Sequence, residues 1–265
     1  MTADNTDFVI KRGKLVRYWG HDGEVSVPDG IKSIGMYAFC DSEGIFSVVV
    51  PQGVRSIGDG AFSNCYDLKS VVLPESVTQI GEAAFYNTKL ESVVVPKGVT
   101  ELSESAFEEC RSLSSVTLPE GLKRIGKCAF FSCKSLTSIT IPAGVRSIDE
   151  NAFFSSGLRS IVIPEGVTVI SDGLFRFCTH LTDVTIPESV KSIGENAFAG
   201  CISLAELTIP DSVESIGNSA FDGCVSLAEL TIPDSVESIG KNAFEACFAL
   251  RSLKLPERLK RSVID

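Results

Sequence analysis

Apolar and polar residues follow one short pattern that recurs along almost the whole chain. In a typical copy, Val184 and Ile186 lie on one side of an extended segment and Thr185 lies on the other. This period of two, built from β-branched residues, predicts a short β-strand. Pro187 ends the strand because proline has no N–H group to donate to a neighbouring strand.

The second half of each copy predicts a turn with helical character. Val190 and Ile193 follow the proline as a second inward-facing pair, and Gly194 comes directly after them. Glycine, serine and aspartate are common helix N-cap residues, so residues 195–201 are expected to form one or two helical turns. Phe198 in this segment is expected to face the core. Three other copies replace the glycine with Ser103, Asp149 or Ser171.

Prolines and phenylalanines mark the repeat. All eleven prolines lie 22 or 23 residues apart, and a phenylalanine follows each of the first ten after eleven residues. The prolines are Pro28, Pro51, Pro74, Pro96, Pro119, Pro142, Pro164, Pro187, Pro210, Pro233 and Pro256. The phenylalanines are Phe39, Phe62, Phe85, Phe107, Phe130, Phe153, Phe175, Phe198, Phe221 and Phe244. They are interpreted as the core spine, whereas Phe131, Phe154 and Phe177 either fill gaps between units or form a partly exposed strip.

A unit of this size cannot bury its own apolar face, so neighbouring units must stack. The expected fold is a right-handed solenoid with a parallel sheet of about eleven short strands and short helical turns on the opposite side. At roughly 4.8 Å per strand, the sheet would be on the order of 50 Å long.

The two ends differ from the middle. Residues 1–24 are interpreted as an N-terminal cap, in which Phe8–Trp19 forms a hairpin around Arg12 and Gly13. Residues 25–265 form the repeat array, with ten full units and a partial eleventh. Two interpretations of the end stay open: a small cap formed by Leu259, Val263 and Ile264, or a cut from a longer array.

The strand pattern LxxLxLP followed by IGxxAFxxC resembles the BspA-like leucine-rich-repeat family, and the match runs from about Val25 to Leu259. The lead-in FVIKRGKLVRYWGHDGEVSVP also resembles the usual start of such arrays. This resemblance implies a leucine-rich-repeat solenoid that binds proteins. Members of the family are often bacterial surface proteins acting in adhesion. It implies no particular binding residues, because the family shares none at fixed positions.

Composition excludes several classes of partner. The net charge of −10 argues against nucleic acid, since proteins that bind through phosphate contacts are normally basic. No apolar run is long enough to span a bilayer. The first residues, MTADNTDFVI, lack the features of a secretory signal. The expected location is the cytoplasm if Met1 is the native start, and the alternative, from the resemblance alone, is the cell surface or the medium.

Cysteines recur within the repeat without any CxxC pair. Seven lie fourteen residues after a proline: Cys65, Cys110, Cys133, Cys178, Cys201, Cys224 and Cys247. Thr88 and Ser156 take the same place in the two 22-residue units, which indicates a slot that selects small residues. The expectation is nine free thiols, and disulfides between neighbouring units are the alternative.

Candidate chemistry is sparse. His21 and His180 have no nucleophile near them in sequence, and no phosphate-binding glycine motif is present. The sequence therefore predicts no enzyme, cofactor or metal site.

The candidate binding surface is the outer face of the predicted sheet, formed by the residues four and two positions before each proline. The set is Ser47, Val49, Ser70, Val72, Ser92, Val94, Ser115, Thr117, Ser138, Thr140, Ser160, Val162, Asp183, Thr185, Glu206, Thr208, Glu229 and Thr231. Its alternative interpretation is an ordinary exposed strand surface. Residues 177–245 carry eleven acidic and two basic residues, and residues 251–265 carry five basic and two acidic ones. The acidic units either favour a partner with a basic surface or simply keep the chain solvated. The basic C-terminal segment of another copy would be one such partner.

The sequence predicts a non-enzymatic protein-binding module, and two versions stay open. One is adhesion at the cell surface, and the other is an intracellular scaffold, which fits the missing signal and the expected reduced cysteines. Glycan binding on the Ser/Thr-rich face and enzymatic activity are weaker alternatives. The partner and the oligomeric state do not follow from the sequence.

Overall fold

Each repeat forms one coil of a parallel β-solenoid in the computed structural model, which describes residues 7–259. An antiparallel hairpin of β1 (Phe8–Lys11) and β2 (Lys14–Tyr18) precedes the coils. The predicted solenoid is therefore confirmed.

Two lines of short strands run along the solenoid. The line before the prolines, called here the sheet line, comprises β3 (Glu24–Ser26), β5 (Ser47–Val49), β7 (Ser70–Val72), β9 (Ser92–Val94), β11 (Ser115–Thr117), β14 (Ser160–Val162), β16 (Asp183–Thr185), β19 (Glu229–Thr231) and β21 (Ser252–Lys254). The line after the prolines, called here the second line, comprises β4 (Ser33–Ile34), β6 (Ser56–Ile57), β8 (Gln79–Ile80), β10 (Glu101–Leu102), β12 (Arg124–Ile125), β13 (Ser147–Ile148), β15 (Val169–Ile170), β17 (Ser192–Ile193), β18 (Ser215–Ile216) and β20 (Ser238–Ile239). The second line was not predicted as strand.

The sheet line is less continuous than one sheet of eleven strands. Within the described residues it forms four hydrogen-bonded groups, β3-β5-β7, β9-β11, β14-β16 and β19-β21. Residues 138–140 and 206–208 form no strand. In each group the strands pair in parallel at equivalent repeat positions, as Ser160 does with Asp183. Equivalent side chains of successive coils therefore stand beside one another in rows.

The predicted helical turns are wrong. No α-helix forms within residues 7–259, and a 3₁₀ turn at Glu257–Leu259 lies at their end. In segment 195–201, the N–H groups of Ala199 and Cys201 donate within the coil, but those of Asn196, Phe198 and Gly200 donate to the next coil. Asn196 and Gly200 have φ values of 55° and 73°, which a helix does not allow. The segment is therefore a run of tight turns whose alternate N–H groups join adjacent coils.

The glycine before each run of turns allows close stacking instead of capping a helix. The Gly217 N–H donates to the carbonyl of Ile193 in the preceding coil at 2.8 Å. A Cβ atom at Gly217 would lie 2.6 Å from the backbone nitrogen of Glu195 in that coil. The N-cap interpretation of this position is therefore wrong. The glycines provide room for the neighbouring backbone, whereas Ser103 and Ser171 donate their hydroxyl groups to carbonyls of the preceding coil.

Replacing Gly217 with alanine is expected to lower the free energy of unfolding by about 1–3 kcal/mol, because the neighbouring coil must move away from the added methyl group. Gly121→Ala is the matched control, since the atom nearest to its Cβ would be 3.6 Å away. Denaturant unfolding of both variants checks this prediction. Equal stability of the two variants would contradict the close-approach explanation.

A stack of phenylalanine rings forms the core. Ring centroids of successive coils lie 4.8 to 6.0 Å apart from Phe39 to Phe244. The rings from Phe39 to Phe221 are fully buried, and Phe244 in the last complete coil is half-buried. The spine interpretation of these residues is confirmed.

The N-terminal hairpin covers the first coil. Arg12 and Gly13 form its turn with positive φ values, and Leu15 of β2 pairs in parallel with Ile34 of β4. The Tyr18 ring lies 5.1 Å from the Phe39 ring and so extends the aromatic stack. The division into a cap at 1–24 and an array at 25–265 stays a prediction. At the other end Leu259 is buried, whereas Val263 and Ile264 lie outside the described residues.

Candidate protein-binding face

The sheet face, defined as the residues four and two positions before each proline, points away from the core. All of the predicted residues from Val49 to Thr231 are exposed, and Ser47 is half-buried. Between them lie buried residues such as Val93 and Ile161, which hold each strand onto the core. The pleat therefore produces two parallel rows of exposed side chains across the coils.

The two halves of the sheet face differ in chemistry. In the first half the row four positions before proline is serine, and Val49, Val72 and Val94 form an exposed apolar stripe in the other row. In the second half the first row changes to Asp183, Glu206 and Glu229, while the other row is threonine. The face therefore runs from neutral and partly apolar to acidic.

A third row of carboxylates borders the second half, and the sequence indicates its recurrence at Glu188, Asp211 and Asp234, where it is interpreted as a solubilising coat. It follows the prolines directly and consists of Glu165, Glu188, Asp211 and Asp234, all exposed. Between residues 177 and 245 the structure contains one ion pair, which joins Lys191 to Glu214 on the second-line side at 3.3 Å. Within residues 7–259, none of the carboxylates named for the second half of the sheet face or for this border forms an ion pair. An acidic residue follows proline five times in succession, from Glu165 to Glu257.

A shallow depression lies where the sheet line is open at residues 138–140. Its volume is about 690 Å³, and its lining includes Ile139, Ile141, Ile161, Ile163 and Pro164. The sequence around residues 138–140 follows the repeat pattern, so only the structure shows this feature.

All nine cysteines are free thiols, as predicted. Each of the seven cysteines that lie fourteen residues after a proline donates its S–H group to the carbonyl oxygen of a core phenylalanine one coil earlier. Examples are Cys133 to Phe107 at 3.2 Å and Cys201 to Phe175 at 3.1 Å. The residue at this repeat position is therefore small and also donates a hydrogen bond. The sequence analysis identified the small size but missed the hydrogen bond. Thr88 at the same slot contacts the Cys110 sulfur at 3.2 Å.

Burial suppresses the reactivity of these thiols. Desolvation raises the pKa of Cys65 to about 12 and the pKa of Cys110 to about 11. Desolvation also raises the pKa of the half-buried Cys40 and Cys128 to about 11. Because the thiolate is the nucleophile and the metal ligand, these cysteines are structural groups.

The off-spine aromatic residues pack on the turn side of the solenoid. The Phe131 and Phe154 rings stack at 4.5 Å, and Phe177 meets Phe154 edge-on at 5.5 Å. A Cβ atom at Gly200 would lie 2.4 Å from the Phe177 ring, so that ring occupies the gap above the glycine. Of the two interpretations, gap filling describes Phe177, although 44% of its surface stays exposed.

The remaining candidates are dispersed. His180 is exposed, and its Nδ1 lies 3.2 Å from the Thr179 hydroxyl, whereas His21 is exposed near the N-terminal hairpin. Within residues 7–259, no group of three or more His, Cys, Asp or Glu side chains is arranged to hold a metal ion. No helix in that same part of the chain is long and apolar enough to cross a membrane.

Comparison with known proteins supports the architecture. The family model for the BspA type leucine-rich repeat region matches residues 23–114, 100–225 and 191–262. A leucine-rich repeat protein from Bacteroides ovatus is 26% identical, with a TM-score of 0.53 over 96% of this chain and 87% of that one. The pneumococcal vaccine antigen PcpA is 21% identical, with a TM-score of 0.63 over 91% of this chain and 74% of that one, and it shows the fold alone. Comparison with curated protein sequences gives no match.

Proposed function

Because this chain belongs to the BspA-type leucine-rich repeat family, which indicates a protein-interaction or surface-repeat module, we propose that it binds another protein through its sheet face and catalyses no reaction. The observation that carries this proposal is the continuous exposure of the two sheet-face rows from Val49 to Thr231. Solenoids commonly use such extended surfaces for binding.

The chemistry of the sheet face supports a protein partner. Val72, Val94 and Val162 expose 54%, 64% and 64% of their surface, so covering them would remove apolar area from water. Hydroxyl groups surround these valines, as at Ser115 and Thr117, and provide hydrogen-bonding groups for a polar rim. An enzyme would instead need polar groups that converge in a pocket. Here they are distributed along the coils.

The experiment compares two pairs of substitutions that change net charge equally. Val72→Asp with Val94→Asp disrupts the apolar stripe, whereas Ile202→Asp with Phe248→Asp alters exposed apolar residues outside the sheet face. Each immobilised variant captures proteins from the source cells, and the captured partner is then titrated against the purified variants. We expect the first pair to weaken binding at least about tenfold and the second pair to leave it unchanged. Equal effects would overturn the proposal.

The two versions of this function differ in location. The intracellular scaffold version is supported by nine unpaired thiols, since oxidising compartments favour disulfides. The surface adhesion version is supported only by the membership of the family. Fractionation of the source cells separates them: recovery on the outer surface or in the medium excludes the scaffold version.

A further inference from the structure

The exposed side chains of Val162 and Ala143 give the depression on the sheet face an apolar floor. Val162 is 64% exposed, whereas Ile139 and Ile161 beside it are buried against the core. Because residues 138–140 form no strand, the sheet line is open between β11 and β14 at this place. This depression therefore lies between the neutral half and the acidic half of the sheet face.

The charged residues that line this depression are acidic. They are Glu165 and Asp183, and the guanidinium of Arg146 donates to the carbonyl oxygen of the lining residue Ala143 at 2.9 Å. From there the carboxylates continue along both sides of the threonine row, with Glu206 and Glu229 on one side. Successive coils are about 5 Å apart, so the carboxylates form continuous anionic rows. Basic residues lie at the two ends of these rows: Arg159 precedes the strand of Ser160, Lys254 pairs with Thr231, and Arg258 donates to the backbone carbonyl of Asp234.

We propose that the partner segment on this face is an extended polypeptide that carries both basic and apolar side chains, with its apolar side chain in the depression and its basic ones on the acidic rows. This inference rests on the proposed function and adds the chemistry of the partner. An extended segment presents alternate side chains to a surface, which suits an apolar floor bordered by carboxylates. Opposite charges on the two partners fix the direction of the segment and exclude acidic segments.

The probe is a labelled peptide of alternating lysine and valine, about nine residues and roughly 30 Å long when extended. Two comparison peptides carry glutamate in place of lysine or serine in place of valine. Binding is measured by fluorescence anisotropy at low and moderate salt. The methyl NMR signals of Val162, which is 64% exposed, report whether the apolar side chain reaches the depression.

The protein variants have matched charge. Glu206→Lys with Glu229→Lys reverses the acidic row on the sheet face, whereas Asp222→Lys with Glu245→Lys makes the same change in net charge on the turn side of neighbouring coils. We expect the first variant to weaken binding of the lysine–valine peptide at least about tenfold and the second to change it little. Raised salt should weaken binding to the unchanged protein.

Several results overturn the inference. The lysine and glutamate peptides could bind equally, or the two variants could lose binding equally. The Val162 methyl signals could stay unchanged, or the lysine–valine peptide could fail to bind. If capture of the partner is still lost in Val72→Asp with Val94→Asp, the sheet face binds a partner of different chemistry and the proposed function stands. If that capture is retained as well, the proposed function fails with the inference.

Discussion

Replacing Phe153 with alanine will lower the free energy of unfolding by about 3–5 kcal/mol. The Phe153 ring is fully buried and lies 5.6 Å from Phe130 and 6.0 Å from Phe175. Truncation removes apolar surface from the core and leaves a cavity between two coils that already stack on their own backbone hydrogen bonds. Those hydrogen bonds limit how far the coils can close over the cavity, so the loss stays near the upper part of the range for large-to-small changes.

The control for this prediction is Phe248→Ala, which removes the same atoms from a ring that is 84% exposed. Its effect should stay within about 0.5 kcal/mol. Chemical denaturation followed by circular dichroism measures both variants. A loss below about 1 kcal/mol for Phe153→Ala would show that the ring stack does not stabilise the solenoid.

Alkaline pH will destabilise the protein strongly. Six of the seven cysteines that lie fourteen residues after a proline are fully buried. Desolvation raises the pKa of each of these six thiols above the ordinary value of 9.0. They are Cys65, Cys110, Cys133, Cys178, Cys201 and Cys224. A thiol whose folded pKa is raised contributes stability that is complete below the unfolded pKa and is lost as pH rises towards the folded pKa. The loss therefore begins near pH 9 and continues to about pH 12 for Cys65.

Each buried thiol reduces the free energy of unfolding by about 1.4 kcal/mol per pH unit once the unfolded thiol is ionised. Together the six thiols account for a loss on the order of 5 kcal/mol between pH 9 and pH 10. Denaturant midpoints at pH 8, 9 and 10 measure this loss. The double variant Cys201→Ser with Cys224→Ser should reduce the thiol contribution to the pH dependence by about a fifth, since two of the nine thiols with raised pKa values no longer titrate. A pH dependence that is the same in the variant and the parent would contradict the assignment to the thiols.

The strand before each proline could be predicted because its signal is local. Val184 and Ile186 alternate with Thr185, and Pro187 marks the end. The spacing of the phenylalanines then indicated that one ring from each unit enters the core, and the stack has this arrangement. The same short pattern occurs in every unit because each unit must make the same contacts with its neighbours, and this recurrence made the strand and the core phenylalanine predictable.

The turns were misinterpreted because their apolar residues alone do not separate a helix from tight turns. The residues that decide the conformation are those at positive φ, such as Asn151, Asn196 and Gly200. Asparagine and glycine tolerate this region and occupy the position of Asn196 in five of the ten coils, which was a partial signal for turns. Tyr37, Ala83 and Cys128 adopt positive φ at the same position, so the signal does not extend to every coil. The strands of the second line, such as Ser192–Ile193, have two residues each and are too short to show a periodic pattern.

The sheet face could be predicted from the sequence, but the depression could not. The positions of Ser138 and Thr140 relative to Pro142 match those of every other coil, and both residues are exposed as expected. The opening of the sheet line at these residues depends on backbone hydrogen bonds with the coils on either side. Such bonds depend on small shifts between coils, which the side-chain pattern of one coil does not encode.

Hydroxyl-radical footprinting of the complex with the captured partner shows which face of the solenoid the partner covers. Val72, Val94 and Val162 are all exposed in the free chain, and so are Phe177 and Phe248 on other sides. We expect the oxidation rate of the three valines to fall in the complex while that of the two phenylalanines stays unchanged. Protection of Phe177 and Phe248, with the valines still oxidised at the free rate, would contradict binding through the sheet face.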